Sequence, residues 1–167
     1  MNIFLTGKPG SGKTTLLKEI VEELDREFCG FTTPEIRENG ERTGFHIEDL
    51  KTGDKGVMAS VDIENGPSVS KYKVNLEALK MFSEKVTEDL EEADGIAIDE
   101  IGVMELYSDN FEEMLDKAID SEKLLIATLH RNLVERFQEK GKVIWVTRKS
   151  KDKIKEKVLE LIDKSIQ

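Results

Sequence analysis

Residues 7–14 read GKPGSGKT, and no other stretch constrains this chain as strongly. They satisfy the pattern G-x-x-x-x-G-K-[ST], with both glycines, the lysine and the hydroxyl in place. The flanks sharpen the reading. Asn2 to Thr6 form a short apolar run that reads as a buried strand. From Lys13 onward Leu16, Leu17, Ile20, Val21 and Leu24 recur at helical spacing. Strand, glycine turn and helix together bring loop N–H groups onto a phosphate at the positive end of a helix. Gly7, Gly10 and Gly12 allow a close backbone approach that a Cβ would obstruct. Pro9, Ser11 and Thr15 belong to the same nucleotide-binding stretch, and Lys8, at a variable position in it, reads as a solvated charge. Lys13 is expected to reach the β- and γ-phosphates of a nucleoside triphosphate, and the Thr14 hydroxyl to coordinate Mg2+. The competing reading is an ordinary glycine-rich turn with a solvated lysine.

A second apolar run, Gly95-Ile96-Ala97-Ile98, ends in Asp99 and Glu100. Taken alone, such a pair is as readily the solvated start of a helix, where acids are favoured. Beside a phosphate-binding turn it takes the form of a metal-binding strand end. Asp99 is expected to hold Mg2+, commonly through a water, leaving Glu100 free to polarise the water that attacks the γ-phosphate. Thr128 ends another apolar run and is a candidate γ-phosphate sensor, or a plain strand-end threonine.

Elsewhere the chain alternates strand and helix patterns. Residues 30–74 differ: Gly44 to Leu50, Gly56 to Val61 and Val69 to Val74 are separated by turn signals at Asn39-Gly40, Gly53-Asp54 and Asn65-Gly66-Pro67, which predict antiparallel hairpins. Asn75 is a plausible N-cap for a helix carrying Leu76, Leu79, Phe82, Val86 and Leu90. A further helix presents Phe111, Met114, Leu115 and Ile119. Leu124 to Ala127 and Val143 to Val146 are short strands, followed by helical patterns at 132–139 and 151–164. The alternation predicts right-handed parallel crossovers, hence an α/β three-layer fold: a mainly parallel sheet with added antiparallel hairpin strands. A length of 167 residues fits a single domain, 1–167, with 38–74 as a hairpin insertion.

Charge and composition exclude some roles. A net charge of −10 repels phosphodiester backbones, so no nucleic-acid partner is expected. No apolar run approaches the roughly 20 residues of a bilayer span, and the N-terminus lacks a signal peptide's basic region, so the expectation is a cytoplasmic protein with no membrane contact. The lone Cys29 reads as a small buried apolar residue.

Several segments resemble a known family, the small nucleoside-triphosphatases of archaea, thermophilic bacteria and animals, also called cancer-related nucleoside-triphosphatases. The resemblance rests on FLTGKPGSGKTTL at 4–16, GFTTPEIR with Gly30, Phe31, Thr33, Glu35 and Arg37, then Arg42-Thr43-Gly44-Phe45, Tyr72, IDEIGVMEL at 98–106 and Val146-Thr147. It implies Mg2+-dependent hydrolysis of several nucleoside triphosphates on the additional-strand, catalytic-glutamate P-loop fold. It also implies catalytic roles for Glu100 and Lys13, and candidate charge-neutralising roles for Arg37 and Arg42 near the phosphates. Two positions depart from the family pattern. Ser70 replaces a usual glycine, and Ser150-Lys151 replaces an Asn-Arg pair, which leaves open whether Arg148 or a nearby lysine serves the site.

The leading expectation is a monomeric nucleoside-triphosphate hydrolase. A small-molecule or nucleotide kinase and a slow nucleotide-dependent switch are the alternatives. No base-reading motif is present, so base preference stays open, and Tyr72, Phe31 and Trp145 are the aromatics available for stacking, or for the core.

Overall fold

Strand and helix alternate through the computed structural model, which describes residues 1–166. β1 (Asn2–Gly7) leads through the glycine turn into α1 (Lys13–Leu24). Six strands follow: β2 (Phe28–Thr32), β3 (Glu35–Glu38), β4 (Glu41–Asp49), β5 (Lys55–Ser60), β6 (Ser68–Val69) and β7 (Tyr72–Val74). The chain continues with α2 (Leu76–Asp89), β8 (Gly95–Ile101), α3 (Asp109–Asp120), β9 (Leu124–His130), the one-turn α4 (Val134–Phe137), β10 (Lys142–Trp145) and α5 (Lys151–Ile166).

The strands join into one ten-stranded sheet, ordered β10-β1-β9-β8-β2-β4-β5-β7-β6 with β3 paired to β4. From β10 to β2 every pairing is parallel, and β4 begins the antiparallel part. β9 lies between β1 and β8. The strand that enters the glycine turn is therefore separated by one strand from the strand bearing Asp99 and Glu100, which is the additional-strand arrangement that the resemblance implied.

The parallel strands read as continuous apolar runs because both of their faces are covered. Ile3 and Leu5 pack with Leu16, Leu17 and Ile20 of α1 and Val158 and Ile162 of α5. Phe4, on the opposite face, shares a core with Phe31, Ile98, Leu79, Val86, Phe111 and Met114, under α2 and α3. Burying side chains of this size contributes roughly 1.5–3 kcal/mol each, which pins the strand ends where the polar residues emerge. Asn75 does cap α2, its side chain accepting from the Ala78 N–H.

Three details differ from the sequence reading. Phe28–Thr32 does not open a hairpin block but is a parallel core strand against β8. Gly30 takes a φ of 131°, and a Cβ there would lie 1.8 Å from the Ala97 carbonyl oxygen. Close approach of two strands is what requires that glycine. Val69 to Val74 is split by the two-residue turn Ser70-Lys71. The helical pattern at 132–139 yields only a 3-10 turn, Arg131–Leu133, and α4, since Phe137 is its one fully buried side chain. Among the described residues, no helix is long and apolar enough to cross a membrane.

Candidate active site

The glycine turn closes on itself before α1 begins. The Ser11 N–H donates to the Lys8 carbonyl at 3.1 Å, and Gly10 and Gly12 take φ of 77° and 95°, values that L side chains rarely adopt. A Cβ on Gly7 would stand 2.6 Å from the Val146 carbonyl oxygen. Gly12 is the N-cap of α1; no side chain caps it and the first turn holds no acid. The free N–H groups and the positive end of the helix therefore face the turn. Lys13 arches back over it, its Nζ donating to the Gly7 carbonyl at 3.1 Å and standing 3.7 Å from Glu100 Oε2.

Asp99 and Glu100 occupy an irregular stretch of β8, where the pairing register with β9 shifts between Ile98 and Ile101. Such irregularities re-aim side chains near the ends of strands. Asp99 Oδ1 accepts from Thr14 Oγ1 at 3.2 Å and from Thr128 Oγ1 at 2.7 Å. Its backbone carbonyl accepts from both the N–H and the hydroxyl of Thr33, at 2.7 and 3.0 Å. Glu100 points instead toward Lys13. Burial, with a smaller push from Asp99, raises the Glu100 carboxyl above the usual glutamate range, against the opposing pull of Lys13 and His130. The Thr14 hydroxyl and the Asp99 carboxylate are a pair of hard oxygen donors that fit Mg2+, an ion held by one or two carboxylates together with substrate phosphates.

Two clefts flank the turn. The larger, about 640 Å³, is bordered by Lys13, Thr14, Asp99, Glu100 and Arg42. The other, about 500 Å³, lies over the start of α1 between Thr15, Arg148 and Lys151. Arg148 Nε donates to the Gly10 carbonyl at 2.8 Å, so the loop before α5 reaches the turn although Ser150-Lys151 departs from the family pattern.

The two candidate arginines part company. Arg42 borders the larger cleft, braced by a 2.8 Å bond to the Tyr72 hydroxyl, by Glu35 Oε1 at 3.2 Å and by the Phe45 ring. Arg37 does not border either cleft; it is solvent-exposed, paired with Glu35 Oε2 and donating to the Gly40 carbonyl. Lys13, Thr14, Asp99, Glu100, Thr128 and Arg42 thus come together, and Arg37 stays outside. Phe31 and Tyr72 are buried, whereas Trp145 is half exposed on edge strand β10. The sequence reading missed Glu105 and His130 at the larger cleft; the smaller one is lined by Arg148 and by Lys151, a lysine of the kind that reading left open. An acid inside the apolar segment Val103 to Leu106 was the available signal for Glu105.

A strand, a glycine turn and an uncapped helix, with an Asp-Glu strand end beyond one intervening parallel strand, define the P-loop class of nucleoside-triphosphatase folds. Known proteins narrow this class further. The NTPase family profile matches residues 2–159. The nucleoside-triphosphatase THEP1 of Methanocaldococcus jannaschii is 43% identical over 166 residues, covering 97% of each chain. That of Pyrococcus abyssi is 39% identical over 168 residues, with 98% of this chain and 93% of the other covered. Among solved structures, THEP1 from Aquifex aeolicus superposes with a TM-score of 0.82 at 33% identity, covering 96% and 98% of the two chains. A human cancer-related nucleoside triphosphatase gives 0.77 at 28% identity, covering 98% of each. The chain belongs to the NTPase family.

Proposed function

We propose that this nucleoside-triphosphatase is magnesium-dependent and cleaves the bond to the γ-phosphate of ATP, GTP and other triphosphates, releasing the diphosphate and phosphate. The observation that carries the reading is the convergence of Lys13, Thr14 and the Asp99–Glu100 pair at one mouth of the sheet, beside the free N-terminus of α1.

In this reading the turn's N–H groups hold the phosphate chain, and Lys13 exchanges the Gly7 carbonyl and Glu100 for β- and γ-phosphate oxygens. Thr14 and Asp99 hold Mg2+, with Thr128 fixing the orientation of Asp99. When bound, the ion offsets negative charge on the phosphate oxygens. Glu100, freed from Lys13, accepts a proton from a water whose oxygen forms a bond to the γ-phosphorus as the bond from that phosphorus to the β–γ bridging oxygen breaks. A positioned base of this kind contributes about 10²–10⁴ in rate. Arg42 is the cationic side chain placed to offset charge on the transferring group. The same reading takes the chain as a cytoplasmic monomer whose required partner is the nucleotide, without nucleic acid or membrane; the net charge of −10 supports the exclusion of nucleic acid.

The test is phosphate release from ATP with no acceptor present, with and without magnesium, in the parent and in Lys13→Ala. Magnesium-dependent release in the parent and its loss in a folded Lys13→Ala protein are expected. Release that requires an added acceptor points to a kinase, and full activity in Lys13→Ala removes the phosphate-binding assignment.

A further inference from the structure

Glu105 is a buried acid that the mechanism above leaves idle. It opens the 3-10 turn Glu105–Tyr107 just beyond β8, is only 4% exposed, and borders the same cleft as Glu100. Among the described residues no side chain donates a hydrogen bond to its carboxyl. Both acids reach the bare face of Gly102. The point where a Cβ on Gly102 would stand lies 2.7 Å from Glu105 Oε2 and 3.2 Å from Glu100 Oε1. The glycine therefore leaves room for both carboxyls, and a larger residue would have to displace Glu105 Oε2 and crowd Glu100.

We propose that Glu105 is a positioning residue, whose neutral carboxyl, packed across Gly102 from Glu100, orients the Glu100 carboxylate toward the attacking water. The proposal rests on the reading of Glu100 as the base. Two carboxylates this close in a cleft cannot both carry charge cheaply, and the cleft must also admit a triphosphate beside Asp99 and Glu35. A neutral Glu105 spares it one more anion and supplies an O–H donor that fixes one oxygen of Glu100, leaving Oε2 on the Lys13 side. Burial holds the Glu105 proton, raising its carboxyl to about 8; the Glu100 and Asp99 charges add to this, and the backbone at Glu105 and Gly102 opposes it. The other charged groups lining this cleft are Lys13, Lys18, Glu35, Arg42, His130 and Arg131; α3, which packs on the turn, carries Asp109 and Glu112 in its first turn, with Glu112 paired to Arg136. Glu105 keeps its own proton throughout; the proton taken from water goes to Glu100.

Glu105→Gln keeps the shape and a donor, and Glu105→Met keeps the volume but has none. Gln is expected to hold kcat within about threefold of the parent, and Met to lower it by about tenfold or more with KM unchanged. The parent's kcat/KM should fall above about pH 8 as Glu105 ionises, and this alkaline limb should be absent in Gln. If Met fails to fold by circular dichroism, Gly102→Ala tests the same contact, with the same loss of kcat expected. Parent-like kcat in whichever of these two variants folds, or an alkaline limb unchanged in Gln, overturns the proposal. Glu100→Gln run alongside separates the two claims: its turnover stays near the parent rate only if the base assignment itself is wrong.

Discussion

Replacing Thr128 with valine removes one oxygen from a fully buried side chain and leaves its branching intact. That oxygen donates to Asp99 Oδ1 at 2.7 Å, the length of a hydrogen bond to a charged acceptor. Bonds of this kind contribute about 1.5–3 kcal/mol, and the extra buried methyl of valine offsets roughly 1 kcal/mol of the loss. A net destabilisation of about 0.5–2 kcal/mol follows, read as a lower thermal midpoint. On the proposed function, the larger consequence falls on the magnesium site. Asp99 Oδ1 is fixed by two hydroxyls, Thr14 and Thr128. Once Thr14 turns to the ion, only Thr128 continues to orient the carboxylate. Loss of such a supporting hydrogen bond typically costs 10–100-fold in metal affinity, so the free magnesium giving half-maximal phosphate release should rise by about that factor. Thr128→Ser, which keeps the donor, should stay close to the parent. A folded Thr128→Val protein with the parent's magnesium dependence would refute the claim that Thr128 orients Asp99.

Arg42→Ala is expected to lower kcat by about tenfold or more with little change in nucleotide affinity, whereas Arg37→Ala, whose side chain lies outside both clefts, should keep kcat within about threefold of the parent; steady-state kinetics of the two variants decide. Ser70 holds a φ of 55° at the first position of a two-residue turn, where glycine avoids Cβ strain. Ser70→Gly should therefore stabilise the fold by roughly 0.5–1 kcal/mol in denaturant melts, after its own entropy cost. Because the Glu100 carboxyl is raised above the usual glutamate range, it protonates at a higher pH than an ordinary glutamate. The acid limb of kcat/KM should accordingly lie above that range, and a limb within it contradicts the burial of the base.

The elements legible in the sequence are those whose cause is local. The glycine turn, the spacing of Leu16, Leu17 and Ile20 along α1, the Asn75 cap of α2 and the apolar run into Asp99 each carry their signal within a few residues. β2 escaped because its partner, β8, is 67 residues away in the pair Gly30–Ala97, and nothing within a few residues of Gly30 signals that approach. α4 was read too long because periodicity at Leu133, Val134 and Phe137 does not reveal that only the last of these is fully buried. In the site, Lys13, Thr14, Asp99 and Glu100 sit in motifs. The contrast between Arg37 and Arg42 does not: the two are partners in the β3–β4 register, and only packing against Tyr72 and Phe45 holds Arg42 at the cleft. Glu105 was hidden for a similar reason, since a glutamate in a short turn ordinarily faces water, and here its carboxyl lies buried against the bare face of Gly102.

The central claim is a division of labour: Lys13, Thr14 and Asp99 bind, and Glu100 activates water. It is tested most directly by measuring triphosphate binding and single-turnover hydrolysis in Glu100→Gln beside the parent at equal magnesium. Glutamine keeps the size and hydrogen-bonding capacity of the side chain but cannot take the proton. Affinity near that of the parent is expected, with hydrolysis slower by about 10²–10⁴. Hydrolysis near the parent rate with normal magnesium dependence would contradict the claim and leave another residue to position the water.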